Sequence, residues 1–135
     1  MIHTKNYKVY YEDTDAGGVV YYANYLKFLE RGRSDFLASV GISQVELGKL
    51  GVFFVVKMCN VEYFASAILE DDVCVCSKMT QIGKVSIEFT QEIKVLEKAC
   101  VQAFVKIACV KLVDGIFKPM AIPVEVLERI KLLQK

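Results

Sequence analysis

The chain has 135 residues, enough for one domain with its own core and too few for two. Its 17 basic and 16 acidic residues leave a formal charge of +1, which excludes the basic stripe of a nucleic-acid binder and the acidic bias of a disordered tail. Hydrophobic residues make up 54% and mean hydropathy is +0.35, so apolar surface is expected to be shared with another copy of the chain.

Lys5 to Glu12 reads as a short strand rich in Tyr and Val, ended by the loop Asp13-Thr14-Asp15-Ala16-Gly17-Gly18. A long amphipathic helix is predicted from Tyr22, because Tyr22, Tyr25, Leu26, Leu29, Phe36, Leu37 and Val40 recur at three and four until Gly41 stops it. Gly32 inside this helix costs about 1 kcal/mol against Ala, which points to strands packed closely on that face. A helical turn is expected near Ser43 to Leu50. Four strand runs follow, Phe53 to Phe64, Asp72 to Ile82, Val85 to Leu96 and Cys100 to Val113, joined by short breaks. In the third, Val85, Ile87, Phe89, Ile93 and Val95 alternate with polar residues, giving one core face and one wet face. Behind Pro123 a last helix runs from Val124 to Leu133. This order predicts an α+β fold with an antiparallel sheet, as a single domain over residues 1–135.

Cys59, Cys74, Cys76, Cys100 and Cys109 are odd in number and form no C-x-x-C pair, so they read as buried free thiols of a reducing compartment. His3 is the single histidine, and any triad chemistry would depend on it. No leader pattern is evident and the longest apolar run, Gly51 to Val56, is far too short to cross a bilayer, so a cytoplasmic protein is expected.

The Asp13–Gly18 loop is the chemically suggestive segment. Glycines let backbone approach a ligand closely, and the helix start behind them offers unpaired N–H donors at a positive dipole end. A carboxylate such as Asp15 beside those donors suits attack on, or base catalysis at, a polarised carbonyl. Turn formation and helix capping by Asp13 and Asp15 explain the same residues without chemistry.

The stretch YYEDTDAGGVVYYANYLKFLERGRSDFL, Tyr10 to Leu37, resembles the signature region of the hotdog-fold acyl-CoA thioesterases. It is similar to the 4-hydroxybenzoyl-CoA thioesterase family and, within it, to the YbgC type associated with the bacterial Tol-Pal envelope system. The likeness continues through FVVKMCNVEYFASA (Phe54 to Ala67), FTQEI (Phe89 to Ile93) and KPMAIP (Lys118 to Pro123). It implies a curved antiparallel sheet of about five strands wrapped around a central helix, and a homodimer or dimer of dimers with the acyl pocket at the interface. The implied substrate is acyl-CoA, with acyl carrier protein as a further partner, no cofactor or metal, and a location in the cytoplasm or peripheral to the inner membrane.

Carried over by the motif, Asp15 is the catalytic carboxylate and the backbone N–H of Tyr22 polarises the thioester carbonyl. Gly17 and Gly18 admit the substrate and Tyr11 lines the site. Many relatives of the YbgC type carry histidine where this chain has Tyr22, which leaves position 22 its backbone role. Coenzyme A carries phosphates, and Lys84 in the Gly83-Lys84 turn is the first candidate to meet them, ahead of Lys57 and Lys118. Asn24 is expected to steady the helix start. Arg31 and Arg33 are assigned to structure, pairing with Glu30 or Asp35 or facing a partner subunit.

Other readings of the loop fail on topology. An aspartyl-phosphate D-x-D, with Asp71-Asp72 as a second acid pair, needs parallel strands joined by long crossovers, and the strands here are joined by short turns. A calcium loop fails because Gly17 takes a ligand position and Asn24 stands where a bidentate Glu belongs. The alternative from another class is a non-catalytic hotdog module that binds acyl groups or acyl carrier protein.

Overall fold

A computed structural model describes residues 1–134. Strand β1 (His3–Lys8) leads through a 3-10 turn at Tyr11–Asp13 and another at Tyr22–Asn24 into helix α1 (Tyr25–Ala38). Helix α2 (Gln44–Lys49), strands β2 (Val52–Tyr63), β3 (Asp72–Ile82), β4 (Ser86–Val95), β5 (Lys98–Val113) and β6 (Ile116–Pro119), and helix α3 (Val124–Lys131) complete the chain. All pairings are antiparallel, in the order β1-β3-β4-β5-β2, with β6 paired to β5 beyond the start of β4.

The structure differs from the sequence reading at several points. The first strand stops at Lys8 instead of Glu12, because the buried Asp13 carboxylate accepts the Tyr10 N–H at 2.9 Å and folds the chain into a turn. The α-helix begins at Tyr25, with Tyr22 in the tighter turn before it. A sixth strand appears where about five were expected, closed by Asp114-Gly115, both at positive φ (50° and 77°) as two-residue hairpins require.

Helix α1 buries Tyr25, Phe28, Leu29, Gly32, Arg33, Phe36 and Leu37, while Leu26, expected on that stripe, is exposed. Its end is a Schellman motif: Ile42 N–H reaches Leu37 O at 3.2 Å, Gly41 N–H reaches Ala38 O at 2.9 Å, and Gly41 takes φ +79°. Gly32 is where the helix meets the sheet, since a Cβ there would lie 2.5 Å from Val75 Cγ1 on β3. Gly32→Ala, which gains about 1 kcal/mol of helix propensity, is therefore expected to destabilise the fold by about 1–3 kcal/mol through overpacking. A urea midpoint at or above that of the parent protein would contradict this packing.

A polar network crosses the core under α1. Arg33 Nη1 donates to Gln91 Oε1 at 2.9 Å, and Gln91 Nε2 donates to Leu29 O (3.0 Å) and Ser77 Oγ (2.9 Å). Burial lowers the Arg33 pKa, and no carboxylate pairs with it among the described residues. The pairing of Arg31 or Arg33 with Glu30 or Asp35 is thus corrected. Glu30 accepts the Ser34 hydroxyl, Asp35 accepts the Tyr7 hydroxyl, and Arg31 lies over the Phe28 ring.

The two sheet edges differ in character. Strand β1 is mostly polar, whereas β2 carries exposed Val56 and Met58 around a bulge between them. Of the cysteines, Cys100 and Cys109 are buried, Cys74 and Cys76 are half-buried with Sγ atoms 3.8 Å apart, and Cys59 is exposed on β2, so the expectation of five buried thiols holds for two. Among the described residues, no helix is long and apolar enough to cross a membrane.

Candidate active site

The two loop acids have opposite environments. Asp13 is 4% exposed, and besides its carboxylate bond its carbonyl accepts Tyr21 N–H and Asn24 Nδ2, each at 2.9 Å. It holds the turn at Tyr11–Asp13 against the turn at Tyr22–Asn24, so capping accounts for Asp13, and Asn24 steadies the helix start as expected. Asp15 is exposed in a tight hairpin: its N–H donates to Val19 O at 2.9 Å and its carbonyl accepts Gly18 N–H at 3.0 Å. Gly18 sits at φ +81°, which a side chain would strain. Oδ1 of Asp15 accepts Gly17 N–H at 2.8 Å, and Oδ2 has no hydrogen-bond partner among the described residues.

Asp15 borders a cleft of about 410 Å³ between the Val19–Tyr22 segment, Tyr25 and the exit of β2 at Tyr63 to Ser66. Its walls are aromatic: ring centroids lie 5.0 Å apart for Tyr21–Tyr22, 6.1 Å for Tyr22–Tyr63 and 5.7 Å for Tyr25–Tyr63. The phenols are tied to backbone. Tyr25 Oη accepts Ala67 N–H at 3.0 Å, and Tyr63 Oη donates to Tyr22 O at 3.1 Å. Burial raises both pKa values and keeps both groups neutral near pH 7. In the turn, Asn24 N–H bonds Tyr21 O at 2.8 Å, which leaves Tyr22 and Ala23 N–H without acceptors inside the turn.

The chain thus brings Asp15 and Tyr22 to one cleft, while Gly17 and Gly18 shape the hairpin that carries Asp15 and are not among the lining residues. Tyr11 is 82% exposed on the preceding turn and is not among the lining residues. Lys84 lies in the β3–β4 turn at the opposite end of the sheet, on the order of 25 Å from the cleft by the rise of the strands between them. Within one chain the two do not meet. His3 stacks on Phe36 at 5.0 Å in the core, and burial lowers its pKa below 6.5. Tyr25, Tyr63 and Ser66 were not singled out by sequence, because strand alternation places Tyr63 on a face but cannot say which helix that face meets. A larger groove of about 450 Å³ lies on the sheet, lined by Asn60, Glu62, Thr90 and Gln102 among others, and Asp15 and Tyr22 are not part of it.

A helix packed on a six-stranded antiparallel sheet, with Asp15 and Tyr22 lining one cleft, is consistent with a hotdog thioesterase. The model of the thioesterase superfamily matches residues 17–101, and the chain belongs to this family. It is 41% identical over 120 residues to the acyl-CoA thioesterase YbgC of Haemophilus influenzae, covering 88% of this chain and 87% of that one. It is 40% identical over 125 residues to the acyl-CoA thioester hydrolase YbgC of Escherichia coli, covering 92% of each. Among solved structures, a probable thioesterase from Bartonella henselae superposes with a TM-score of 0.85 at 32% identity, covering 91% of this chain and all of that one.

Proposed function

We propose that the Asp15 cleft hydrolyses the thioester of acyl-CoA to a free acid and CoA. The observation that carries this reading is the free Oδ2 of Asp15 bordering the same cleft as the unpaired N–H groups of the Tyr22–Asn24 turn. Tyr22 N–H hydrogen-bonds the carbonyl oxygen and stabilises the oxyanion as it forms, an effect typically worth about a hundred- to a thousand-fold per donor. Two routes use Asp15 from there. As nucleophile, its carboxylate adds to the carbonyl carbon, CoA leaves as thiolate, and water opens the acyl-aspartyl anhydride to acid and free carboxylate. As general base, it takes a proton from water while the oxygen of that water adds to the carbonyl, and the proton ends on the leaving thiolate. Each route consumes one water.

Two copies of the chain complete the assembly in this reading. The long β2 edge, with exposed Val56 and Met58, presents unpaired backbone groups and apolar side chains, the features that a second β2 strand covers. Lys84 then meets CoA phosphates at the cleft of the other copy. Tyr11, exposed beside the rim, contributes from outside the cleft wall. Acyl carrier protein presents the same thioester on the same pantetheine arm and is the second donor class to assay.

The test is release of free thiol from a panel of short, long and aromatic acyl-CoAs, counted above a blank for the exposed Cys59. Turnover on at least one member is expected. Acyl-CoA binding with no thiol release across the panel would replace the enzyme with a binding module.

A further inference from the structure

The turn that presents Tyr22 is anchored from two directions. From its own side of the chain, Asn24 Nδ2 and Tyr21 N–H both bond Asp13 O at 2.9 Å. From the far side of the sequence comes one bond, the Tyr63 hydroxyl donating to Tyr22 O at 3.1 Å across 41 residues. The carbonyl it holds belongs to the peptide linking Tyr22 to Ala23, whose N–H is one of the two left unpaired in the turn. A hydrogen bond accepted by a peptide carbonyl fixes the plane of that peptide and polarises its N–H, making it a stronger donor. The neighbouring peptide is treated alike, since Tyr21 O accepts Asn24 N–H at 2.8 Å. Both peptides of the turn thus have their carbonyls engaged and their N–H groups without an acceptor inside the turn.

Resting on the reading of the Asp15 cleft given above, we infer that Tyr63 is a positioning residue for thioester hydrolysis: its hydroxyl pins the Tyr22 carbonyl and with it the orientation of the turn whose Tyr22 N–H meets the thioester carbonyl. Burial holds the phenol protonated, so it stays a donor through the neutral range. The Tyr63 ring packs edge-on against Tyr22 and Tyr25, so Tyr63→Phe keeps the wall and removes the hydroxyl alone.

The expected result for Tyr63→Phe is a fall in kcat of roughly five- to tenfold, the worth of one neutral hydrogen bond, with KM within about twofold of the parent. A second readout uses the Asp15→Asn protein, in which bound acyl-CoA persists long enough for infrared measurement of its thioester carbonyl. Binding should lower that stretch, and adding Tyr63→Phe should move it back toward the free value. An unchanged kcat, or a raised KM with kcat intact, would overturn the role of Tyr63, as would a carbonyl band indifferent to the hydroxyl. Failure of the cleft itself is distinguishable: Asp15→Asn would then remain active, or the band would not shift on binding at all.

Discussion

Asp15→Asn is expected to lower kcat by about a hundredfold or more, the range typical for loss of a positioned acid or base, and to leave KM and stability close to the parent values. The structure makes this substitution unusually clean. The loop conformation depends on Asp15 Oδ1 accepting Gly17 N–H at 2.8 Å, and the amide oxygen of Asn accepts that bond equally well. The backbone bonds from Asp15 N–H to Val19 O and from Gly18 N–H to Asp15 O do not involve the side chain. Only the free Oδ2 changes, from a carboxylate oxygen that can attack or take a proton to an amide nitrogen that does neither. The measurement is steady-state hydrolysis of the best acyl-CoA in the panel, beside a thermal melt. Full activity in an intact protein would remove Asp15 from the chemistry. The parent protein then tests for the nucleophilic route: one turnover in heavy-oxygen water that labels the Asp15 carboxylate requires an anhydride opened at its aspartyl carbonyl, an outcome that general-base catalysis does not produce.

The parts of the fold visible in the sequence are those written locally. The inward set Val101, Ala103, Val105, Ile107 and Cys109 alternates in sequence and is buried in the structure. Gly41 marks a helix end by the positive φ that the Schellman motif demands. Strand β6 is equally legible through Asp114-Gly115, a strong hairpin signal between two apolar runs. The division between Asp13 and Asp15 was not legible. Two identical residues two positions apart differ in what the fold brings to them: Asn24 and Tyr21 to the Asp13 carbonyl, an open cleft to the Asp15 carboxylate. The same holds for the Tyr63 contact with Tyr22, which depends on where β2 leaves the sheet. It holds too for the separation of Lys84 from Asp15, which follows from strand direction and not from residue type.

Gln91 is a fourth such case, and its replacement carries the largest expected effect on stability. On β4 it occupies an inward position between Phe89 and Ile93, where alternation alone calls for an apolar residue, and it is 3% exposed. Gln91→Leu satisfies the alternation and is nevertheless expected to destabilise the protein by about 3–5 kcal/mol, because three buried polar groups, the Arg33 guanidinium among them, each lose a partner at about 1–3 kcal/mol apiece. Arg33, 8% exposed, would lose the acceptor for Nη1, and Ser77 and the Leu29 carbonyl would lose a donor. Against a total stability of about 5–15 kcal/mol for such a domain, that is a large fraction. The sign follows from the asymmetry of buried polar groups: removing one partner strands the other, whereas removing both can be nearly neutral. Arg33→Met combined with Gln91→Leu should therefore regain much of the loss, and a double mutant as unstable as Gln91→Leu would contradict the network. Urea midpoints of the four proteins at one protein concentration measure the coupling, since any self-association makes stability depend on concentration. The network also bears on catalysis, because Leu29 and Arg33 lie on α1 while Gln91 and Ser77 lie on the sheet. These bonds fix how far α1 slides along β3 and β4, and the start of α1 carries the turn that offers Tyr22 N–H beside Asp15. The surviving folded fraction of Gln91→Leu is accordingly expected to show a lower kcat than the parent, and the double mutant is expected to recover stability more fully than it recovers turnover.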